Sequence, residues 1–459
     1  MPRSEQPPDP ATKRSKEEST TLDGAGVLEV GDRLAARDPA LVLLWSAAEP
    51  DRAGEVLLLE GSSGVQENRA FVFGRGAPQE EEDFRVLPFR QRPGPRKPGT
   101  PLQNPWISRR QLVFSPSSAG GLLVENVGRC KLLINGEACE KAALVSGDLL
   151  ELKNHLLFLY TRRPRQMAPL LSYPEAKAPR FGEADAFGIV GESPLIWELR
   201  DEMAFLAQRQ GHILVTGPSG SGKELVAQAI HGLSSRAPRP LLARNAATFP
   251  AGLIDAELFG NAKDYPNSGM PSRPGLIGAA DRSTLLLDEI GELPMELQTH
   301  LLRVLDERGE YQRLGETESR RSDFRLIAAT NRPLESLKGD LLARFSLRCD
   351  VRGLNERRED VPLLIRHLLR RAAHEDESIG KKFLQGEKGE PRVSPDLIGA
   401  LVTHDYQLNT RELSELIWDR PRRKALLPPL SVDAGGTIVA LRGARSSLAH
   451  PLSRRAIPR

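Results

Sequence analysis

The chain has 459 residues, of which 39% are hydrophobic and only 5% aromatic, and its formal net charge is +3. This length is enough for two or three domains with largely aliphatic cores, and so small a net charge does not by itself indicate a polyanionic partner. Three cysteines without a CxxC pair, eight histidines without HExxH spacing, no bilayer-length apolar run and no signal sequence exclude the usual disulfide, structural-metal, membrane and secreted classes, so we expect a cytoplasmic protein.

The first half of the chain predicts a short polar segment followed by an all-β domain. Residues 1–26 are polar, charged and proline-bearing, which favours disorder. Residues 27–163 contain short alternating runs such as "EVLLLEG", "RAFVFGRG" and "GLLVENVG", separated by Gly, Asn and Ser. That pattern is typical of a small β-sandwich. Within it, residues 78–105 form a proline-rich, charged excursion that cannot be a central strand.

The second half predicts a linker, an α/β domain, a helical segment and a tail. Residues 164–187 carry several prolines and no periodicity, whereas 188–355 alternate apolar strands with amphipathic helices. This alternation indicates a parallel sheet covered by helices on both faces. We expect residues 356–424 to be mostly helical. Residues 425–459 are rich in Pro, Gly and Arg and show no helix-turn-helix pattern, so we recognise no specific DNA-binding domain; the tail either touches nucleic acid non-specifically or is disordered.

The sequence "GPSGSGKE" at positions 217–224 predicts a phosphate-binding loop between a strand and a helix. Its glycines leave backbone N–H groups free to surround phosphate oxygens, and Lys223 would reach the β- and γ-phosphates. A glycine-rich turn with a purely structural role is the alternative. The predicted nucleotide-binding residues are Gly217, Pro218, Ser219, Gly220, Ser221, Gly222, Lys223 and Glu224.

Two further strands end in polar residues at the edge of the predicted sheet. "TLLLDE" ends in Asp288 and Glu289, which would hold Mg²⁺ through water and orient the attacking water, respectively. Two acids after a strand can instead be a helix N-cap. "RLIAATN" ends in Thr330 and Asn331, which would sense the γ-phosphate or merely form a turn.

These motifs, together with "IVGESPLIWELRDE", "ELFG", "NERREDVPLL" and "NTRELSEL", resemble the AAA+ domain of the sigma-54-dependent transcriptional activators, the bacterial enhancer-binding proteins. The resemblance runs from about residue 188 to 420. It implies an ATPase with an α/β P-loop domain, a small helical lid, and a homo-oligomeric ring that binds ATP and Mg²⁺ between subunits. Members of this family also carry Glu after the P-loop Lys, as at Glu224.

The same resemblance implies roles for further residues. Asn245 takes the place of the Asn that coordinates the catalytic Glu, Thr330 and Asn331 that of sensor I, and Arg411 that of sensor II. Arg344 matches an arginine finger that acts on the nucleotide of the neighbouring subunit; a solvated helix arginine is the alternative. The family's other finger falls on Lys338, which lacks the planar bidentate contact, so turnover is expected to be slow.

The segment between "ELFG" and the acid pair differs from the family. There the activators carry the GAFTGA tip that grips sigma-54, whereas this chain has "DYPNSG", Asp264 to Gly269. Proline fixes φ and Asp264 adds charge, so the apolar knob and its flexible flanks are lost. We expect the loop to be kept without this contact to sigma-54 RNA polymerase.

The N-terminal sandwich resembles forkhead-associated (FHA) domains, which bind phosphothreonine on loops at one end. "FVFGRG", "ISRRQLVF", "VENVG", "INGE" and "LVSGDLLEL" recur in the FHA order over residues 30–162. The resemblance implies that Arg75, Ser108 and Arg109 bind the phosphate of a phosphothreonine protein. Gln111 replaces the usual His, and Lys131 the usual Asn; Arg129 and Lys131 would substitute as phosphate ligands. A sandwich that no longer reads phosphate is the alternative.

Two functions follow for the whole chain. The first is an ATP-hydrolysing transcriptional regulator of the sigma-54 activator class that is controlled by phosphothreonine recognition. The second is a phosphopeptide-binding adaptor whose degenerate AAA+ domain serves assembly. The retained Lys223, Asp288, Glu289 and Arg344 favour the first, whereas the altered loop and tail favour the second.

Overall fold

The computed structural model describes residues 37–60, 70–77, 84–117, 121–250, 252–306, 309–386, 388–418, 430–432 and 438–440. The predicted disordered segment 1–26 and most of the basic tail 425–459 lie outside these ranges. Among the described residues, no helix combines the length and apolar character needed to cross a bilayer.

The N-terminal region consists of two antiparallel sheets. One has the strand order β2-β1-β10-β9-β6-β7 and the other β3-β4-β5-β8. The strands are β1 Arg37–Ser46, β2 Val56–Leu58, β3 Phe71–Phe73, β4 Leu112–Pro116, β5 Leu122–Asn126, β6 Leu132–Ile134, β7 Glu137–Ala138, β8 Lys141–Leu144, β9 Leu149–Leu152 and β10 Leu156–Pro164. Alternate apolar side chains from both sheets form one core, in which the rings of Phe73 and Phe158 meet edge to face at 5.5 Å. The all-β prediction for this region is confirmed.

The described part of the proline-rich excursion, residues 84–105, pairs with the sandwich only at isolated bridges, which join Arg85 to Val72, Phe89 to Val56 and Leu102 to Arg75. It also contacts other parts of the protein. Arg92 donates to Glu192 through Nε at 2.9 Å and stacks over the ring of Trp197. Gln91 donates to the backbone oxygen of Pro164 at 2.6 Å. In the linker, the backbone N–H groups of three consecutive residues, 171–173, all donate to Asp201 Oδ1. The excursion and the linker are therefore both fastened to the domain that follows.

The central domain is built on a five-stranded parallel sheet with the order β12-β13-β16-β11-β17. Its strands are β11 Ile213–Thr216, β12 Leu241–Asn245, β13 Thr284–Asp288, β16 Arg325–Thr330 and β17 Leu347–Asp350. The helices of this domain are α1 Pro194–Ala207, α2 Lys223–Leu233, α3 Ile254–Phe259, α4 Gly275–Ala279, α5 Met295–Val304 and α6 Gly339–Arg344. Because parallel strands end at one edge of the sheet, the residues that follow β11, β13 and β16 come together there.

Two insertions project from this domain. A small hairpin pairs β14 Glu310–Tyr311 with β15 Arg320–Arg321. The second insertion, residues 260–275, returns on itself because Asn261 pairs with Arg273 in both directions.

The lid follows the sheet. It contains α7 Val361–Glu375, α8 Glu377–Phe383, α9 Pro395–Thr403 and α10 Asn409–Trp418, with a short pair β18 Leu384–Gln385 and β19 Glu390–Pro391. Leu44, Leu157 and Leu159 of the sandwich belong to the same buried cluster as the apolar faces of α7 and α9. The sandwich and the lid thus share one hydrophobic core.

The remaining elements are short. Beyond the lid, β20 Leu430–Val432 pairs with β21 Ile438–Ala440. The 3₁₀ turns are Pro50–Arg52, Glu175–Lys177, Ala246–Thr248, Ile290–Glu292, Leu334–Ser336, Leu354–Glu356 and Arg358–Asp360.

Candidate functional site

The predicted phosphate loop connects β11 to α2, and its backbone depends on glycine. Gly217, Gly220 and Gly222 have φ values of 148°, 72° and 107°, a region that L-residues with side chains rarely adopt. A Cβ on Gly217 would lie 2.5 Å from the backbone oxygen of Val351, and one on Gly220 would lie 2.0 Å from that of Leu408. Close packing and backbone conformation therefore both require Gly217 and Gly220, whereas Gly222 is required by its conformation alone.

Lys223 lies at the start of α2 with its side chain folded back over the loop. Its Nζ donates to the backbone oxygens of Gly217 at 3.0 Å and Pro218 at 3.2 Å. Burial lowers the pKa of Lys223, while the nearby carboxylates of Glu289 and Asp288 act in the opposite direction. A buried cation held only by neutral carbonyl groups can transfer its hydrogen bonds to an incoming anion. By contrast, Glu224 is exposed and accepts a hydrogen bond from Gln228.

The acid pair lies at the end of β13, at the same sheet edge as the loop. Asp288 accepts the backbone N–H of Glu289 at 3.0 Å, so the pair forms its own local turn. Glu289 has φ 52° and ψ 45°, a left-handed conformation that is uncommon for a residue other than glycine. Such a conformation is found preferentially at functional sites, where the surrounding structure holds it.

Asn245, predicted to contact Glu289, and Thr330, predicted to sense the γ-phosphate, both hydrogen-bond to nearby backbone N–H groups. Asn245 ends β12 directly beside Asp288, but its Oδ1 accepts the N–H of Ala247 at 2.8 Å rather than contacting Glu289. Thr330 is buried at the end of β16, where its hydroxyl accepts the N–H of Arg332 at 3.1 Å. Both residues lie at the predicted edge of the sheet, at the ends of β12 and β16. Asn331 is exposed.

The two arginines implied by the resemblance have different surroundings. Arg411 lies in the first turn of α10 next to the phosphate loop, with its Cβ 3.3 Å from the position of a Cβ on Gly220. Arg344 ends α6 on the surface and pairs with Asp306, Nη1 to Oδ1 at 2.6 Å, with both side chains about half exposed. Lys338, at the other finger position, donates to Thr299. Arg344 is therefore accessible to a neighbouring molecule.

Sequence analysis missed a second group of contacts to the phosphate loop, which comes from the lid. Asn409 Nδ2 donates to the backbone oxygen of Ser219 at 2.8 Å, and the Thr410 hydroxyl donates to that of Gly220 at 2.6 Å. In the sequence "NTREL", the family resemblance assigns a role only to Arg411. Asn409 itself carries a signal, because an Asn before a predicted helix favours the left-handed conformation it adopts here, with φ 51°.

Sandwich loops that carry four exposed basic residues are joined through Ser108. Arg75 donates its backbone N–H to Ser108 O at 3.1 Å, and Arg129 donates its backbone N–H to Ser108 Oγ at 3.0 Å. Arg109 is adjacent to Ser108, and Lys131 follows Arg129 two residues later; all four basic side chains are exposed. Basic groups that surround a hydroxyl are suited to binding a phosphate.

Gln111, where FHA domains have His, is fully buried and joins these loops. Its Oε1 accepts the N–H of Ser108 at 3.1 Å, while its Nε2 donates to Asn126 Oδ1 at 2.6 Å and to Cys130 O at 2.9 Å. Gln111 therefore bonds to the segments around Ser108, Asn126 and Cys130 at once. Gly128 is needed beside it, since a Cβ there would lie 2.4 Å from Gln111 atoms.

The described residues were compared with the requirements of a metal site. Within the described ranges, His, Cys, Asp and Glu side chains do not gather in groups of three or more able to hold a metal ion. A Mg²⁺ ion at Asp288 would depend on water and nucleotide oxygens for its remaining ligands, which is the usual arrangement for this ion.

The fold and the sheet-edge site define a P-loop domain of the AAA+ class, and comparison with known proteins narrows this class. Residues 189–348 match the family model of the sigma-54 interaction domain.

The relatives match over the same part of the chain. Transcriptional regulatory protein ZraR of Salmonella typhimurium is 38% identical over 241 residues, which cover 51% of this chain and 52% of ZraR. The Nif-specific regulatory protein of Bradyrhizobium diazoefficiens is 40% identical over 51% of this chain and 40% of its own length. The crystal structure of Brucella abortus NtrX in complex with ATP is 33% identical, covers 50% of this chain and 51% of NtrX, and has a TM-score of 0.44. The chain spans about half the length of these relatives or less.

Proposed function

We propose that this protein is an ATP-hydrolysing AAA+ regulator of the sigma-54 activator class, controlled by phosphothreonine binding to its N-terminal sandwich. The observation that carries the proposal is the position of Lys223 and the Asp288-Glu289 pair. The strands that lead into these groups, β11 and β13, run parallel in one sheet and end at the same edge. Burial lowers the pKa of Lys223, and the carboxylates of Glu289 and Asp288 oppose that effect. The sigma-54 interaction domain match supports the same reading.

The residues at the sheet edge would have different roles in phosphoryl transfer. The backbone N–H groups of residues 219–223 and the Lys223 amino group would bind the phosphates, and Asp288 would hold Mg²⁺ through water. The ion neutralises charge on the β- and γ-phosphate oxygens when it is bound. Glu289 would orient the attacking water and accept its proton.

Arg344 would complete the site of a neighbouring subunit in a ring. Its present partner, Asp306, is a half-exposed carboxylate, and such ion pairs contribute only about 0.2–1 kcal/mol. Exchanging this partner for a triphosphate is therefore energetically accessible. Because the finger belongs to another subunit, hydrolysis would depend on assembly.

The sandwich would supply the control. Arg75, Ser108, Arg109, Arg129 and Lys131 lie on loops that are joined by direct hydrogen bonds. A phosphothreonine carries about −1.5 to −2 charges and three acceptor oxygens, which this set of donors matches. An unphosphorylated threonine offers neither.

One observation favours the second function, that of an adaptor without sigma-54 remodelling. In the loop that replaces GAFTGA, Asn261 donates to the backbone oxygens of Ala262, Tyr265 and Pro271. Asp264 accepts the N–H of Gly269 at 2.7 Å, which closes the tip. The tip therefore presents Pro266 and Asn267 where the family resemblance expects Phe and Thr, and Tyr265 beside them is 41% exposed.

Steady-state ATPase measurements on the full chain separate the two functions. We expect wild-type turnover that rises with protein concentration, and a loss of about a hundredfold or more in Glu289→Gln. Glu296→Gln is the matched control, because it makes the same change at an exposed position in α5. Absence of hydrolysis at every protein concentration would establish the adaptor instead.

The control by phosphothreonine is tested with paired peptide libraries. Wild type should bind a degenerate phosphothreonine library and leave the matched threonine library unbound, and Arg75→Ala should lose this preference. Arg162→Ala, at the opposite end of β10 from the loops, should keep it. Equal binding of both libraries by wild type would remove the phosphate-reading function.

A further inference from the structure

The sandwich and the lid are packed together more closely than two tethered modules require. Helix α9 lies against β1 and β10 of the sandwich. Leu397, Leu401 and Val402 on this helix are almost fully buried in the cluster that also contains Leu44 and Leu157. The fit is tight at Gly399, where an added Cβ would lie 3.1 Å from Leu149 Cδ1. Any side chain longer than alanine at this position would separate the two surfaces.

Polar contacts fix the same interface at its rim. Arg163 Nη2 of β10 pairs with Glu359 Oε1 at 2.9 Å, and the two side chains are only 2% and 13% exposed. Arg366 of α7 donates to the backbone oxygen of Pro50 at 2.9 Å. On the surface, Lys388 Nζ pairs with Asp51 Oδ2 at 2.8 Å. These bonds orient the sandwich on the lid.

The lid in turn holds the phosphate loop. Asn409 is 2% exposed and bonds on both sides: its Nδ2 donates to Ser219 O, and its Oδ1 accepts the N–H of Leu354 at 2.6 Å. Both the N–H and the hydroxyl of Thr410 donate to Gly220 O. These bonds use carbonyl oxygens of the loop and so do not compete with phosphate for its N–H groups, of which that of Ser221 donates to Pro218 O at 3.3 Å. Arg411 follows directly and would meet the nucleotide.

We infer that the N-terminal sandwich sets the affinity of the nucleotide site through the lid, with Asn409 and Thr410 as the positioning residues that shape the phosphate loop. The lid contacts both regions: its Asn409 bonds to the phosphate loop, and its helix α9 packs on the sandwich. Displacing the sandwich would move the lid and loosen the three bonds that hold Ser219 and Gly220. The inference rests on the proposed nucleotide site but is independent of phosphothreonine binding.

The test is a double-mutant cycle read out by the Kd of a fluorescent ATP analogue. Gly399→Leu wedges the interface, and Thr403→Leu adds a similar side chain to the exposed face of the same helix as its control. We expect Gly399→Leu and Asn409→Ala each to weaken binding about tenfold, with Thr403→Leu unchanged. The double variant should bind about as Asn409→Ala does, because both changes act on the same bonds.

Three outcomes would overturn the inference. Binding by Gly399→Leu equal to or tighter than that of Thr403→Leu would show that the sandwich does not support the loop. Fully additive effects in the double variant would show that the sandwich affects ATP binding by a route that does not involve the Asn409 bonds. Absence of ATP binding by wild type would instead remove the proposed nucleotide site itself, which distinguishes the two failures.

A second variant guards against misfolding of Gly399→Leu. Lys388→Glu places two like charges together at the exposed rim, where the core is untouched. It should weaken ATP binding in the same direction by a smaller factor, about twofold, while leaving the circular dichroism spectrum unchanged. Unaltered affinity in both folded interface variants would contradict the inference.

Discussion

Gln111 Nε2 donates to the backbone oxygen of Cys130 at 2.9 Å, and this bond joins the two loops that carry Ser108 and Arg129. The amide has both a donor and an acceptor, so it also accepts from Ser108 N on its other side. A neutral imidazole likewise offers one donor and one acceptor. The substitution of His by Gln therefore keeps the bonding capacity of the position.

We predict that Gln111→Leu loosens these loops. The change removes the Gln111 partner of Ser108 N–H and Asn126 Oδ1, while Cys130 O keeps only its bond from Asn126 Nδ2, at a cost of about 1–3 kcal/mol. Hydrogen–deuterium exchange of the peptides covering residues 105–131 should accelerate. Gln103→Leu, an exposed change in the neighbouring loop, should leave the exchange rates as in wild type. Equal protection in both variants would show that the Gln111 bonds do not hold the loops.

Gly74 is predicted to be essential for phosphopeptide binding although it carries no side chain. A Cβ at this position would lie 1.9 Å from the backbone oxygen of Arg109, so Gly74→Ala must push the two loops apart. We expect the Kd for a phosphothreonine library to rise at least about tenfold, equivalent to about 1.4 kcal/mol. Gly121→Ala is the control, because its Cβ would meet nothing closer than 3.7 Å. Retained affinity in Gly74→Ala would mean that phosphate binds elsewhere.

Arg344 and Glu289 are predicted to act on the same nucleotide from different subunits. Arg344→Ala and Glu289→Gln should each lower kcat, the former by about a thousandfold. A mixture of the two variants should recover activity, since some sites combine an intact Glu289 with an intact Arg344. Arg348→Ala, an exposed change in β17, should remain active alone. Failure of the mixture to exceed either variant would argue against a shared site.

His212 makes the central domain sensitive to acid. Its Nδ1 accepts the N–H of Leu326 at 3.0 Å, and burial, aided by Arg325 and Arg236, lowers its pKa to about 4. In the unfolded chain, His212 therefore binds a proton below about pH 6.5, whereas in the folded domain it binds one only near pH 4. Stability should fall over this window by up to about 3 kcal/mol.

Urea unfolding at pH 7 and pH 4.5 checks this. His212→Asn keeps an acceptor for Leu326 but cannot titrate, so it should lose less stability than wild type on acidification. His300→Asn alters a histidine whose side chain is 55% exposed and should behave as wild type. An equal loss in wild type and His212→Asn would place the acid sensitivity in another group.

Local patterns predicted the parts of the fold that depend on neighbours in sequence. The glycine spacing of "GPSGSGKE" indicated the turn between β11 and α2, because only glycine adopts φ values such as 107° at Gly222 without strain. The apolar run before Asp288 likewise indicated a buried strand ending in acids. Alternation predicted the strands of the sandwich for the same reason.

Contacts between distant segments were beyond such patterns. Nothing near Asn409 in sequence indicates that its amide meets Ser219, which lies 190 residues away along the chain. Likewise, the prolines of the excursion indicated an irregular segment but not that Arg92 stacks on Trp197. The roles of Asn245, Thr330, Arg344 and Arg411 came from family resemblance and stay predictions.

The shared core beneath the lid has a practical consequence for dividing the protein into pieces. A fragment starting near residue 188 would leave the apolar faces of α7 and α9 open to water where Leu44 and Leu157 now cover them. Exposed apolar surface of that kind promotes aggregation. Low activity or aggregation of the isolated ATPase half would then result from the truncation. Kinetic measurements are therefore better made on the intact polypeptide.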